Sequence, residues 1–106
     1  MLESRYQAYL IRKIKEEFPG AFVMKNDTGY IQGVPDLSVL FNKSWAELEV
    51  KTHASQRHEP NQDFYVNLLD EMSFARFIYP ENEEEVFHDL QQAFEPRRHA
   101  RVLKSK

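Results

Sequence analysis

Only two residues, Asn42 and Lys43, separate two stretches of strand character. The first, Asp36-Leu37-Ser38-Val39-Leu40-Phe41, is largely apolar. The second, Ser44-Trp45-Ala46-Glu47-Leu48-Glu49-Val50-Lys51, alternates polar and apolar residues with the period of two of a strand. A parallel crossover needs a dozen or more residues, so so short a link favours antiparallel pairing. Such a hairpin brings Pro35-Asp36, at the mouth of one strand, beside Glu49-Val50-Lys51, near the end of the other. Glu47, Glu49 and Lys51 share one face of their strand.

The remaining pattern builds a small domain around this hairpin. Residues 2–18 place Leu2, Tyr6, Tyr9, Leu10, Ile14 and Phe18 at spacings of three and four, which predicts an amphipathic helix ended by Pro19-Gly20. Ala21-Phe22-Val23-Met24 reads as a strand leading into a turn at Asn26-Asp27-Thr28-Gly29, and Gly33-Val34-Pro35 punctuates the chain again. After a polar loop from Thr52 to Glu59, Pro60 and Asn61 open a helix carrying Phe64, Tyr65, Leu68, Leu69 and Met72. A strand is expected over Phe74–Tyr79. The last helix has Glu83, Glu84 and Glu85 in a first turn where the helix dipole favours them, with Val86, Phe87, Leu90, Ala93 and Phe94 as its apolar face. The expected order is α-β-β-β-α-β-α: an α/β (α+β) chain with a mixed β-sheet flanked by helices, one domain over 1–95 and a basic tail over 96–106.

Composition narrows the function. At 106 residues the chain has room for one core and one site. The absence of cysteine excludes a disulfide scaffold, a thiolate zinc cluster and a cysteine nucleophile, and it fits a reducing compartment. No apolar run approaches the roughly 20 residues of a membrane span, and the N-terminus is charged rather than signal-like, so a cytoplasmic protein without a membrane partner is expected. No phosphate-binding Walker loop, dinucleotide fingerprint or Gly-x-Ser-x-Gly elbow is present, so no organic cofactor is expected. The net charge of −3 conceals a basic end, Arg97, Arg98, Arg101, Lys104 and Lys106, readable either as a solubilising extension or as a DNA clamp.

Asp36 and Glu49, side by side, are the residue types that hold Mg²⁺ or Mn²⁺ through oxygen at about 2.0–2.2 Å. Lys51, on the same face as Glu49, adds a fixed positive charge able to orient an attacking water or stabilise developing negative charge. Glu47 shares the face and is a reserve ligand. His53 and His58, five residues apart with no cysteine, make no zinc pattern; Arg57 and His58 lie in the loop after Lys51, where they can contact a substrate phosphate. Asp27 reads as a turn residue, and Trp45 and the tyrosines as packing groups.

Pro35-Asp36 with Glu49-Val50-Lys51, in this element order, resembles the PD-(D/E)XK nuclease superfamily, and within it the small VRR-NUC nucleases often encoded by phages and bacteria. The resemblance runs from Glu3 to about Phe94 and takes in Gly33-Val34-Pro35-Asp36-Leu37, Glu47-Leu48-Glu49-Val50-Lys51, Asn61-Gln62 and Ile78-Tyr79-Pro80-Glu81-Asn82. It implies a restriction-endonuclease-like core in which Asp36, Glu49 and the Val50 carbonyl bind the divalent metal and Lys51 is catalytic. It implies further that Glu3, a first-helix acid, completes the site, and that Gln62 contacts the site or the DNA. The expected function is hydrolysis of DNA phosphodiester bonds by a Mg²⁺- or Mn²⁺-dependent endonuclease. Structured or branched DNA such as Holliday junctions, a homodimer, and a bacterial or phage-infected cell follow from the same resemblance. The rival reading from another class is a catalytically silent module on the nuclease fold that binds nucleic acid or a partner. An interaction protein using the acidic Glu81–Asp89 stretch rests on charge alone.

Overall fold

The computed structural model describes residues 1–95; the basic tail anticipated over 96–106 lies outside them. The elements run α1 (Glu3–Glu17), β1 (Phe22–Lys25), β2 (Leu37–Phe41), β3 (Ser44–Val50), α2 (Gln62–Met72), β4 (Ala75–Ile78) and α3 (Glu83–Phe94). This is the order and the mixed α+β class read from the sequence, with element ends shifted by a residue or so. Among the described residues no helix is long and apolar enough to cross a membrane.

The four strands form one sheet in the order β1-β2-β3-β4. β1 pairs antiparallel with β2, and β2 antiparallel with β3, from Phe41 opposite Ser44 to Leu37 opposite Leu48. Asn42 supports the tight turn by adopting φ 56°, a left-handed conformation that asparagine tolerates better than most residues. β4 then pairs parallel to β3, with Glu49 opposite Phe77 and Val50 opposite Ile78, the crossover passing through α2.

One face of the sheet carries the core. Leu37, Val39 and Phe41 of β2 and Ala46, Leu48 and Val50 of β3 meet Tyr6, Leu10 and Ile14 of α1, Phe18 just beyond it, and Val86, Phe87, Leu90 and Phe94 of α3. Phe18, Phe41 and Phe94 pack as a triangle of rings with centroids 5.2–5.6 Å apart, in the range where edge and tilted aromatic contacts are favourable. Strand periodicity sends the alternate residues to the other face: Ser38, Glu47, Glu49 and Lys51. There α2 lies against β3 and β4, while among the described residues Phe22, Met24 and Leu40 on the β1–β2 half are exposed.

One expectation about a helix face needs correction, and one buried acid was not anticipated. In α2 the buried residue is Val66, while Phe64 and Met72 stand 61% and 64% exposed. The rotation of α2 is set at its first residue, where Gln62 hydrogen-bonds to Glu49 and Lys51 on the sheet, so that Val66, one turn on, faces inward. In α3, Glu83 is buried. Tyr6 Oη (2.9 Å), Tyr9 Oη (2.6 Å) and Lys13 Nζ (2.7 Å) all donate to its carboxylate, tying α1 to the start of α3. Those three donors hold its pKa below the usual carboxylate value despite burial. Tyr30 also departs from the packing role: it is 86% exposed.

Candidate active site

The site forms where the β2–β3 hairpin meets the start of α2. One step beyond the last hairpin pair, the register places Asp36 opposite Glu49. Asp36 Oδ2 accepts the Val50 backbone N–H at 2.9 Å, fixing its carboxylate against β3. From the other side Asn26 holds the backbone on both flanks of Asp36: its N–H donates to the Asp36 carbonyl at 2.8 Å and its side-chain amide to the Pro35 carbonyl at 2.9 Å. The same amide reaches Glu47 Oε1 at 3.1 Å, and Ser38 Oγ donates to that oxygen at 2.9 Å. Glu47 is thus committed to a polar brace beneath Asp36 and does not line the cleft. Burial raises its pKa, an effect that the Ser38 and Asn26 hydrogen bonds oppose.

Glu49 is 2% exposed and Lys51 3% exposed. Glu49 Oε2 accepts from Gln62 Nε2 at 3.1 Å, whereas Oε1 is buried with no hydrogen-bond partner among the described residues. A buried carboxylate oxygen left without a donor is costly, and it stands next to a second carboxylate. Burial first, then the negative charge of Asp36 and the proton that neutral Glu49 can donate to it, push the Glu49 pKa up to about 9, with Lys51 pulling the other way. Held as the neutral acid, Glu49 can share its proton with Asp36; ionised, it presents an oxygen that calls for a cation. The residues present therefore fit a divalent ion at Asp36 and Glu49.

Lys51 Nζ donates to Gln62 Oε1 at 2.7 Å and to the Arg57 carbonyl at 3.1 Å. Gln62 Oε1 also accepts the Glu59 N–H at 2.8 Å. The Gln62 amide therefore bridges the acid and the lysine, donating to one and accepting from the other. It sits at the head of α2, after Asn61 in a left-handed conformation with φ 72°. Gly33, with φ +95°, packs so close to Pro60 and Asn61 that a Cβ there would lie 2.6 Å from the Asn61 Cβ. Only glycine lets the β1–β2 loop close onto the head of α2.

These groups line a cleft of about 390 Å³ together with Glu3, Arg57 and Glu59. Its walls carry four carboxylates, Glu3, Asp36, Glu49 and Glu59, against two cations, Lys51 and Arg57, a balance that draws in positive charge. Glu3 reaches it from α1, where the Gln7 amide (3.3 Å) and Gln56 amide (3.5 Å) approach its carboxylate. Among the described residues no three acidic or imidazole groups converge as a ready metal cage, so Glu3 stands beside the Asp36–Glu49 pair rather than closing it into a triad. His58 does not line the cleft: its ring stacks on Phe77 at 4.0 Å and bonds to Asp63 at 2.8 Å. Asp27 forms a turn, accepting the Gly29 N–H at 2.9 Å.

Sequence reasoning missed Asn26 and Gln56. Asn26 looked like an ordinary turn residue, and its grip on the Pro35 and Asp36 carbonyls follows from a pairing nine and ten residues away. Gln56, read as part of a polar loop, accepts from both the N–H and the hydroxyl of Thr52 while its amide approaches Glu3. Compared with family models, with curated proteins and with solved structures, the chain matches none.

Proposed function

We propose that this chain is a divalent-metal-dependent endodeoxyribonuclease of PD-(D/E)XK type, nearest in pattern to the VRR-NUC nucleases. The observation that carries this reading is Asp36 beside buried Glu49, with one Glu49 oxygen that meets no donor among the described residues and Lys51 fixed nearby by Gln62.

In this reading Asp36, Glu49 and the Val50 carbonyl would hold Mg²⁺ or Mn²⁺, which supplies Lewis-acid activation of a water and a phosphate oxygen. The protein's own groups do the rest. Lys51, kept in place by Gln62 and the Arg57 carbonyl, sets a positive charge where negative charge develops on the scissile phosphate. Among the described residues that ammonium donates to an amide oxygen and a backbone carbonyl rather than to a carboxylate, so it is not locked in an ion pair and can act on the substrate. Gln62 holds Glu49 and Lys51 in a fixed relation, and Arg57 at the rim is available for a flanking phosphate. Glu3 adds negative charge that strengthens the pull on a cation.

The substrate we assign is structured or branched DNA of the Holliday-junction kind, cut by a homodimer in the cytoplasm of a bacterial or phage-infected cell. A domain this small has little surface for a long duplex, and a two-fold dimer would present two sites to two strands. Labelled linear, nicked, flapped and four-way DNA, each incubated with and without Mg²⁺, tests the activity. Asp36→Ala should lower Mg²⁺-dependent cleavage by at least roughly 10³-fold while the protein stays folded. Wild-type turnover in that variant would sink the assignment, and light scattering checks the dimer.

A further inference from the structure

Glu49 and Lys51 lie at the bottom of a cleft whose volume falls at the low end of the range of about 300–1,000 Å³ typical of small-ligand sites. A single nucleotide unit fits such a space; a stacked, paired duplex does not descend into it. The rim carries an unexplained group. Thr28 and Gln32 line the cleft, and between them the loop crests at Tyr30 and Ile31, 86% and 40% exposed. Tyr30 is the most exposed of the large apolar side chains among the described residues.

The loop that carries the crest is held at both ends. Asp27 closes a turn beneath it through the Gly29 N–H, Asn26 anchors the loop's start to Pro35 and Asp36, and Gly33 packs its end against Asn61. An exposed aromatic ring on a loop held at both ends, beside a cleft lined by Lys51 and Arg57, has the features of a stacking platform, since every nucleobase offers a π-face to it.

We propose that Tyr30 is a base-stacking site for an unpaired nucleobase next to the scissile phosphate, and that the cleft therefore acts on a locally unpaired DNA strand. This rests on the nuclease reading and narrows its substrate. An unpaired strand satisfies both features together: its backbone can bend down to Glu49 and Lys51 while the freed base stays at the rim on Tyr30.

The test uses the full chain with DNA carrying 2-aminopurine, either in a three-nucleotide single-stranded flap or fully paired, with Ca²⁺ in place of Mg²⁺. Wild-type protein should quench the flap fluorescence. Tyr30→Ala should abolish the quench and weaken flap binding by about 5- to 150-fold, Tyr30→Phe should keep both, and binding to the paired probe should be equal in all three. Tyr30 is exposed, and matching circular dichroism melts establish that the variants fold. An unchanged quench in Tyr30→Ala, or an equal loss on paired DNA, overturns the proposal. Asp36→Ala separates it from the parent reading: it should stop Mg²⁺-dependent cleavage and leave the Tyr30-dependent quench intact. A wild type that quenches but never cleaves brings down the nuclease reading and upholds the stacking site.

Discussion

Two buried glutamates, each with a lysine nearby, end in opposite states. Glu83 receives three donors, Tyr6, Tyr9 and Lys13, and its pKa is held low. Glu49 receives one donor from Gln62, has an oxygen with none, faces Asp36, and its pKa is pushed up to about 9. The lysines differ in the same way. Lys13 spends its charge on Glu83 and lies over the Phe87 ring at 4.4 Å, while Lys51 bonds only to neutral oxygens. A satisfied carboxylate joins helices and keeps its charge; one with a single donor, buried beside a second acid, holds its proton instead.

The largest break in this comparison should come from removing each acid. Glu83→Ala leaves two tyrosine hydroxyls and a lysine without their acceptor, and we expect about 3 kcal/mol of destabilisation, the low end for a broken buried pair. Calorimetry should record a Tm drop of roughly 12 °C or more at this chain length. Glu49→Ala should leave the metal-free Tm within a few degrees of wild type; an equal collapse in both variants would end the distinction between them.

Next in size is Gln62. Gln62→Ala frees Lys51 and Glu49 from their common bridge and should reduce Mg²⁺-dependent cleavage by about 10- to 100-fold, the usual range for groups that orient metal ligands. Loss of stability with unchanged kcat/KM would assign Gln62 a packing role instead.

The pH dependence should separate the two acids by its sign. The folded-state pKa of Glu49 lies above its unfolded value, so the folded protein retains a proton that the unfolded chain loses. Its contribution in the metal-free protein is present below about 4.5 and is lost as pH rises toward about 9. Glu83 has the opposite sign: its contribution is present above about 4.5 and is lost as pH falls through its lowered pKa. Melts across pH 3–9 should therefore show Glu49→Gln more stable than wild type at pH 8 without metal, by roughly 4–8 °C for each kcal/mol relieved. The two proteins should converge near pH 4. A wild type that gains stability from pH 6 to 9 in EDTA would contradict the assignment of Glu49.

The hairpin was the most legible part of the site, because a two-residue link and a period-two strand together leave little freedom in where Asp36 and Glu49 meet. The burial of Glu83 was hidden, since an acid in the first turn of a helix is already accounted for by the dipole and its real partners lie 70 or more residues away. The rotation of α2 was misread for a related reason. Phe64, Leu68 and Met72 look like a continuous apolar face, yet the polar anchor at Gln62 turns that face aside, and no local pattern marks an amide as the stronger constraint. Tyr30 was unreadable as an exposed group because apolar content alone does not tell a crest from a core.

The sheet order also bears on timing. The β2–β3 hairpin closes locally, so Asp36 and Glu49 can meet early, while water still screens them; the parallel β3–β4 pair must wait for α2 to dock. The cost of crowding two acids is then incurred late, when Gln62 seals the cleft. On that order Glu49→Gln should act mainly on the unfolding arm of a chevron and hardly on the folding arm. The site would be a source of kinetic fragility in the empty protein, and a bound cation would lengthen the lifetime of the fold before it accelerated any reaction.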